Sequence, residues 1–428
     1  RMLSYRSTVV RPKYAWIEGA FREGAAIRVD EEGKIAEIGE DLVARGNEKE
    51  VLLEHEALLP GFVNTHSHAF HRFLRGRSSI GEDSATTFWG WRENMYALVE
   101  NIDWTTLKEY CRVVFSEMLS AGITTVGEFH YVHHGKGQFD LDTAVIEAAK
   151  EAGIRIVLIQ TLYQRAGFTS PPLEPAQKRF VSSFEDFVKS VEQLDTVAGP
   201  RVTVAVAAHS YRAVDEATTK RLWDWAKARD KPFHIHLEEQ PKEIADCISA
   251  TGKTPSEWLV EMGADQGCTA VHCTYTERAR MQRMATRAVH VSVCSATEGY
   301  LGDGVPEIDT NTRLCLGTDC NNRIGFIEEM RWAAFSQMAK HNSRCVAALT
   351  AQKLLEAATV TGASSLGLST VTGKLADGYA FDFVTVDLAS PLLKDCPASQ
   401  LSDSIVFSLD NREIVRVGVD GDVRYERK

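Results

Sequence analysis

The spacing of apolar and polar positions changes along this chain. Near the start, residues 26–30 and 34–38 are short strand-like runs on either side of an Asp-Glu-Glu-Gly turn ending at Gly33, which predicts a hairpin. Towards the other end, residues 383–387, 404–408 and 414–419 are again strand-like, with turn signals at Asn411 and Gly421. Strand-rich ends around a long middle predict a small β-sandwich-like domain built from residues 1–58 and 370–428, and a larger domain over residues 59–369.

The middle alternates between two periods. Apolar runs of strand type occur at residues 61–65, 123–129, 154–162, 202–208, 232–237, 268–272, 289–293 and 313–317. Helical patterns lie between many of them. Residues 104–120 put Leu107, Cys111, Val114 and Met118 on one face. Ser182 with Glu185 predicts a capping box before a second helix. Thr254, Pro255 and Glu257 supply the cap, first-turn proline and acid of a third. About eight strand–helix repeats over about 300 residues predict an α/β fold of the (β/α)8 TIM-barrel type. Periodicity alone leaves an open doubly wound sheet as the alternative.

The polar residues at the strand ends favour the barrel. The apolar runs exit into His66 and His68, Glu128 and His130, His209, His234 and His236, His272, and Asp319. TIM barrels carry their chemistry at the C-terminal ends of their strands.

Composition narrows the function classes. With 428 residues, 44% hydrophobic and 25% charged, the chain is ordinary for a globular protein. It is long enough to bury a large core without disulfides. A net charge of −11 disfavours nucleic acid and anionic membrane as partners. Nine scattered cysteines without a CxxC pair read as reduced thiols of a cytoplasmic protein, not as a thiolate zinc site. No segment reads as a signal peptide or is apolar enough to span a bilayer.

Three segments carry candidate chemistry. In an extended strand, residues two apart face the same way, so His66 and His68 can reach one cation. His234, His236, Glu238 and Glu239 end another strand with a second such pair plus carboxylates. Of these, His236 suits a third ligand and Glu239 a proton shuttle, while His234 reads equally as a buried, hydrogen-bonded side chain. Leu314-Cys-Leu-Gly-Thr-Asp319 aims one carboxylate at the barrel mouth, although Asp after a strand also caps helices. His133 and His134 read as loop residues without a role.

Together, LPGFVNTHSH, HIHLEEQ, the strand ending at His272 and LGTD resemble the amidohydrolase superfamily. HSHAFHRFLRGR, FWGWRENMY, GEFHYVHH, HSYRAV and HIHLEEQ resemble, in order, segments of its N-formimino-L-glutamate deiminase family. The likeness runs from about Leu59 to Asp319, and LADGYAFDFVTVD near Asp382 fits the superfamily's sheet domain. The resemblance implies that His66, His68, His236 and Asp319 hold one zinc ion per chain. Two-metal members add a modified lysine at the fourth strand, which here ends Ala-Ala-His209-Ser-Tyr-Arg212. Glu239 and His272, with Asp319, would handle protons beside the metal. His71, Arg92, Tyr131, His209 and Arg212 would bind the carboxylates of the substrate, a role that suits the bidentate fork of arginine. Arg92 would reach into a neighbouring subunit, which implies a homodimer.

The implied reaction is hydrolysis of N-formimino-L-glutamate to N-formyl-L-glutamate and ammonia, as in histidine degradation. Two alternatives stand beside it: a deaminase of an aminopurine, pterin or guanidine-like compound, and a metal-free scaffold without activity. The chain departs from the family at His71, which is glutamine in many members. It departs again at Cys320-Asn321-Asn322, where many have Ser-His after the aspartate.

Overall fold

The structure is a computed structural model that describes residues 3–77 and 87–428. Strands β1 (Thr8–Ile17), β2 (Ala20–Glu23), β3 (Ala26–Val29), β4 (Ile35–Gly39) and β5 (Lys49–Pro60) open the chain. The barrel strands follow: β6 (Phe62–Ser67), β7 (Ile123–His130), β8 (Arg155–Leu162), β9 (Val202–Ala208), β10 (Phe233–Leu237), β11 (Cys268–His272), β12 (His290–Val293) and β13 (Arg313–Leu316). Strands β14 (Phe383–Asp387), β15 (Ile414–Val419) and β16 (Asp422–Glu426) return to the first sheet. All eight predicted barrel runs are strands within a residue or two of their expected ends.

Strands β6 to β13 pair in parallel and in sequence order. Their side chains are almost all buried, as expected of a sheet covered on both faces. Thr318 and Asp319 donate backbone N–H groups to the His66 carbonyl, and His68 donates to that of Asp319, which closes the ring between β13 and β6. Gly317 makes this approach possible, because a Cβ there would lie 2.8 Å from His66 Cβ and 2.9 Å from the His66 carbonyl oxygen. An open doubly wound sheet is thereby excluded.

The strands from the two chain ends form one continuous sheet in the order β16-β15-β14-β5-β1-β3-β4, with β2 paired to β1. The β3–β4 hairpin is as predicted. Residues 404–408 are not a strand but the end of a helix, Leu401–Ser408. Leu401, Ile405 and Val406 are its buried positions, a helical spacing that a five-residue apolar run is too short to reveal.

The helix Trp104–Ser120 buries the predicted face and is capped by Asp103, which accepts from Thr106 N. The Thr254–Glu257 capping box is present. The helix Phe184–Val197 starts one residue later than expected: Ser183, not Ser182, is extended and accepts from Asp186 N. At the junction of the two sheets, Arg155 at the base of β8 bonds both carboxylate oxygens of Asp382 at 3.0 and 3.2 Å and Asp420 at 2.6 Å. All nine cysteines are free thiols. Among the described residues no helix is long and apolar enough to cross a membrane.

Candidate active site and metal centre

Three barrel strands deliver four donor residues to one point at the C-terminal mouth. His66 and His68 come from β6, His236 from β10, and Asp319 from the turn after β13. The Nε2 atoms of His66 and His236 face each other at 3.1 Å. The Nε2 atoms of His66 and His68 each lie 3.3 Å from Asp319 Oδ1. His68 Nδ1 sits 2.8 Å from the Phe129 carbonyl, an acceptor only, so Nδ1 carries the proton and Nε2 turns a lone pair inwards. Burial holds the His66 imidazole down at about 3 and His236 well below its ordinary range, so both rings are neutral.

Three converging imidazole nitrogens and one carboxylate oxygen fit a divalent cation. Nitrogen lone pairs at 3.1 Å repel one another without one, and the set matches the ligand types of a zinc site with an open position. Asp319 caps no helix: it sits in the left-handed region with φ +45°, and the next helix begins at Phe326. Asn321 secures this turn, donating to Ser67 Oγ at 3.1 Å and to the His68 and Asp319 carbonyls at 3.0 Å.

Glu239 and His272 flank the metal point. His272 Nε2 lies 3.7 Å from Glu239 Oε1 and 3.7 Å from Asp319 Oδ2. Burial alone would lower His272, but the carboxylates of Glu239, Glu298 and Asp319 raise it to about 10. Burial, reinforced by the charges of Asp303 and Asp319, pushes Glu239 well above the usual carboxylate range. Glu238 turns away and accepts from Ser256 N at 2.8 Å, so of the two adjacent acids only Glu239 serves the site.

A pocket opens above this point. His71, Arg92, Tyr131, His209 and Arg212 all line it. His71 Nε2 is 3.1 Å from Tyr131 Oη. The Arg92 guanidinium lies 4.8 Å from the Trp89 ring and 5.3 Å from Tyr96, with only long ion contacts to Glu93 and Glu174 at 3.8 and 3.9 Å. Arg212 Nη1 is buried and without a hydrogen-bond partner among the described residues. Arg92, on the helix Phe88–Val99, lines the pocket of its own chain.

His133 and His134 lie in the loop after β7, as expected. His133 is fully buried there, 2.9 Å from Asp142 Oδ1 through Nδ1 and 2.8 Å from the Thr161 carbonyl through Nε2. His134 also holds the loop in place, with Nε2 2.9 Å from the Val181 carbonyl and Nδ1 accepting from Phe139 N. His130, a strand-exit residue, joins Asp142 at 2.8 Å and stands behind the pocket. His234 is a buried, bonded histidine, 3.0 Å from the Ser365 carbonyl. Sequence reasoning missed Tyr163, Gln177, Glu243, Glu298 and Asp303. Gln177 donates to the Tyr96 and Tyr163 hydroxyls at 3.3 and 3.1 Å, and Tyr163 and Glu243 line the pocket. Two barrel runs, residues 154–162 and 289–293, carry no assigned exit residue in the sequence reading; Tyr163 follows the first, and Glu298 and Asp303 lie just beyond the second.

A closed parallel barrel with this cluster at its mouth defines a metal-dependent hydrolase of the amidohydrolase type. The chain belongs to the amidohydrolase family, whose sequence profile matches residues 57–424. Within that family it is similar to the formimidoylglutamate deiminase of Pseudomonas aeruginosa, at 32% identity covering 92% of this chain and 89% of the relative. A 5-methylthioadenosine/S-adenosylhomocysteine deaminase from Natronomonas pharaonis is 27% identical over 86% of this chain and 81% of its own. Among solved structures, an amidohydrolase from Brucella melitensis aligns with a TM-score of 0.87 at 27% identity, covering 98% of this chain and 95% of that one.

Proposed function

We propose that this chain hydrolyses N-formimino-L-glutamate to N-formyl-L-glutamate and ammonia, using one zinc ion held by His66, His68, His236 and Asp319. The observation that carries the substrate class is Arg212, a half-buried cation of the pocket wall whose Nη1 is buried and has no hydrogen-bond partner among the described residues. A buried N–H without an acceptor is costly, and a guanidinium suits a carboxylate. Arg92, His209 and Tyr131 extend this polar wall, which matches a substrate with two carboxylates at one end and an uncharged or cationic formimino group at the other.

When bound, zinc supplies the Lewis acidity that makes water a nucleophile at neutral pH. Glu239 takes a proton from the attacking water as the new C–O bond forms at the formimino carbon. His272 and Asp319 help it: His272 steadies the charge that builds on the attacking oxygen, and Asp319 takes that oxygen's second proton as the carbonyl forms and passes it to the leaving nitrogen. Glu239 then returns the proton to the departing nitrogen, the C–N bond breaks, and ammonia leaves. Phe88, Trp91 and Phe180 line the pocket and limit the water that competes for these groups.

The aromatic lining and the similarity to nucleoside-type deaminases support a second reading, an aminopurine substrate. Ammonia release from a panel of formimino acids, guanidino acids and aminopurines separates the two. Turnover of N-formimino-L-glutamate supports the proposal, and turnover of an aminopurine alone overturns it. Metal analysis of active protein is expected to give about one zinc per chain. Two metals, both required for activity, would contradict the mononuclear site. A homodimeric, cytoplasmic enzyme is proposed with it, the assembly being read out by sedimentation.

A further inference from the structure

The segment after β12 lies under both acid–base groups, and no role in the reaction has been given to it. It comprises the helix Ser295–Leu301 and the turn that follows. Glu298 on that helix is 2% exposed and Asp303 is fully buried. Burying a carboxylate is unfavourable unless its oxygens are satisfied, so two of them behind one pocket require an account.

His272 needs something to hold it. It ends β11 with φ +76°, and Cys273 follows at φ +52°, so the backbone turns sharply just where the ring must be aimed. The ring lies 3.7 Å from both Glu239 and Asp319, too far for either to fix it by hydrogen bonding. Its one short polar contact is between Nδ1 and Glu298 Oε1, at 3.2 Å. Glu298 is itself held, because the same oxygen accepts the Cys294 N–H at 3.0 Å.

The segment grips the other group as well. Asp303 N donates to the Glu298 carbonyl at 2.8 Å, and the Asp303 carboxylate accepts from Gln240, the neighbour of Glu239 in sequence. One short stretch of chain thus sets the relative placement of His272 and the Glu239 loop.

We propose that Glu298 is a positioning residue of this site. By accepting the proton on Nδ1 of His272, it turns the Nε2 edge of the ring towards the space between Glu239 and Asp319. The logic is that of a buried carboxylate orienting a histidine in a catalytic triad, where the carboxylate sets ring and tautomer without exchanging protons with substrate. A neutral ring held this way has its lone pair on Nε2, and a charged ring presents its second proton there. In both states the reactive nitrogen faces the pocket.

This inference rests on the acid–base reading of His272 and Glu239, and the test separates the two. Glu298→Ala and Glu298→Gln are compared with Glu239→Gln and His272→Asn in zinc content, kcat and KM for N-formimino-L-glutamate. Glu298→Ala is expected to keep its zinc and a KM within about threefold of wild type, while kcat falls by about a hundredfold, the scale of losing an acid–base group. Glu298→Gln keeps an acceptor oxygen for Nδ1 and the Cys294 N–H, so it should recover part of that loss. Its pH–rate profile should also shift, because the charge behind the ring is gone. A kcat within threefold of wild type for Glu298→Ala overturns the proposal, as does a loss that only follows zinc. Should the alanine variant fail to fold, an unaltered kcat and pH profile in Glu298→Gln overturns it instead. If Glu239→Gln and His272→Asn are themselves near wild type, the acid–base reading falls, and this proposal with it.

Discussion

Removing the Arg212 guanidinium takes a cation with an unpartnered Nη1 out of the pocket wall without touching the donors around the metal point. Arg212→Ala should therefore lower kcat/KM about ten- to a hundredfold, the equivalent of 1.5–3 kcal/mol for a charged hydrogen bond, while metal content stays unchanged. An unaltered kcat/KM would deny the residue its carboxylate. His66→Ala and His236→Ala act differently: each deletes a nitrogen of the converging set, and elemental analysis should find the metal lost. Glu239→Gln should retain metal and lose about a hundredfold or more in kcat, because an amide cannot accept and return the proton. Near wild-type turnover in that variant would remove Glu239 from the proton path. Arg92 lines its own chain's pocket, so mixed Arg92→Ala and Glu239→Gln subunits are expected to regain no activity beyond that of each alone. Restored activity in verified mixed dimers would place Arg92 in the neighbour's site.

At the scale of elements, the turn after β13 packs closely against the end of β6. Gly317→Ala puts a methyl group within 3 Å of both His66 Cβ and the His66 carbonyl, so it should open the ring, displace Asp319 and abolish metal binding. A variant that bound metal normally would show the turn to be more forgiving than its geometry. Behind β7, burial pushes the Asp142 carboxyl up, but His133 and His130 outweigh it and hold the group at about 2. An unfolded aspartate titrates near 3.9. Between those values the unfolded chain binds the extra proton, so this stabilisation is complete above about pH 4 and is lost as pH falls towards 2. Asp142→Asn should flatten that part of the acid-unfolding curve, and it should cost about 3–5 kcal/mol at neutral pH by breaking a buried pair. The barrel strands and the histidine ends were legible because burial on both faces writes continuous apolar runs that stop abruptly at polar mouths. The helix Leu401–Ser408 was not legible, since its apolar run fits either period. Glu298 and Asp303 were hidden because they act from a helix and a turn past a strand end, where sequence spacing no longer reports direction. The burial of His133 was not legible because a loop residue enclosed by tertiary packing has no local signature.

At the scale of the whole molecule, the two sheets are tied through Arg155, 5% exposed, against Asp382 and Asp420. Arg155→Met would leave the buried Asp382 carboxylate without its cation, while Asp420 keeps Arg201 at 3.0 Å, and it should cost about 3–5 kcal/mol, seen as a lower thermal midpoint. An unchanged midpoint would mean that the surrounding apolar contacts hold the junction without it. The pairing of β5 with β14 has a further consequence, for synthesis. As the polypeptide leaves the ribosome, β5 emerges early and then waits for nearly the whole barrel to be translated before its neighbour exists. In that interval its hydrogen-bonding edge on that side is uncovered, and such edges recruit strands from other nascent chains. Slow or interrupted translation past the barrel should thus produce aggregates before it produces misfolded barrels, and a chaperone that shields extended segments should raise the yield more than one that encloses finished domains.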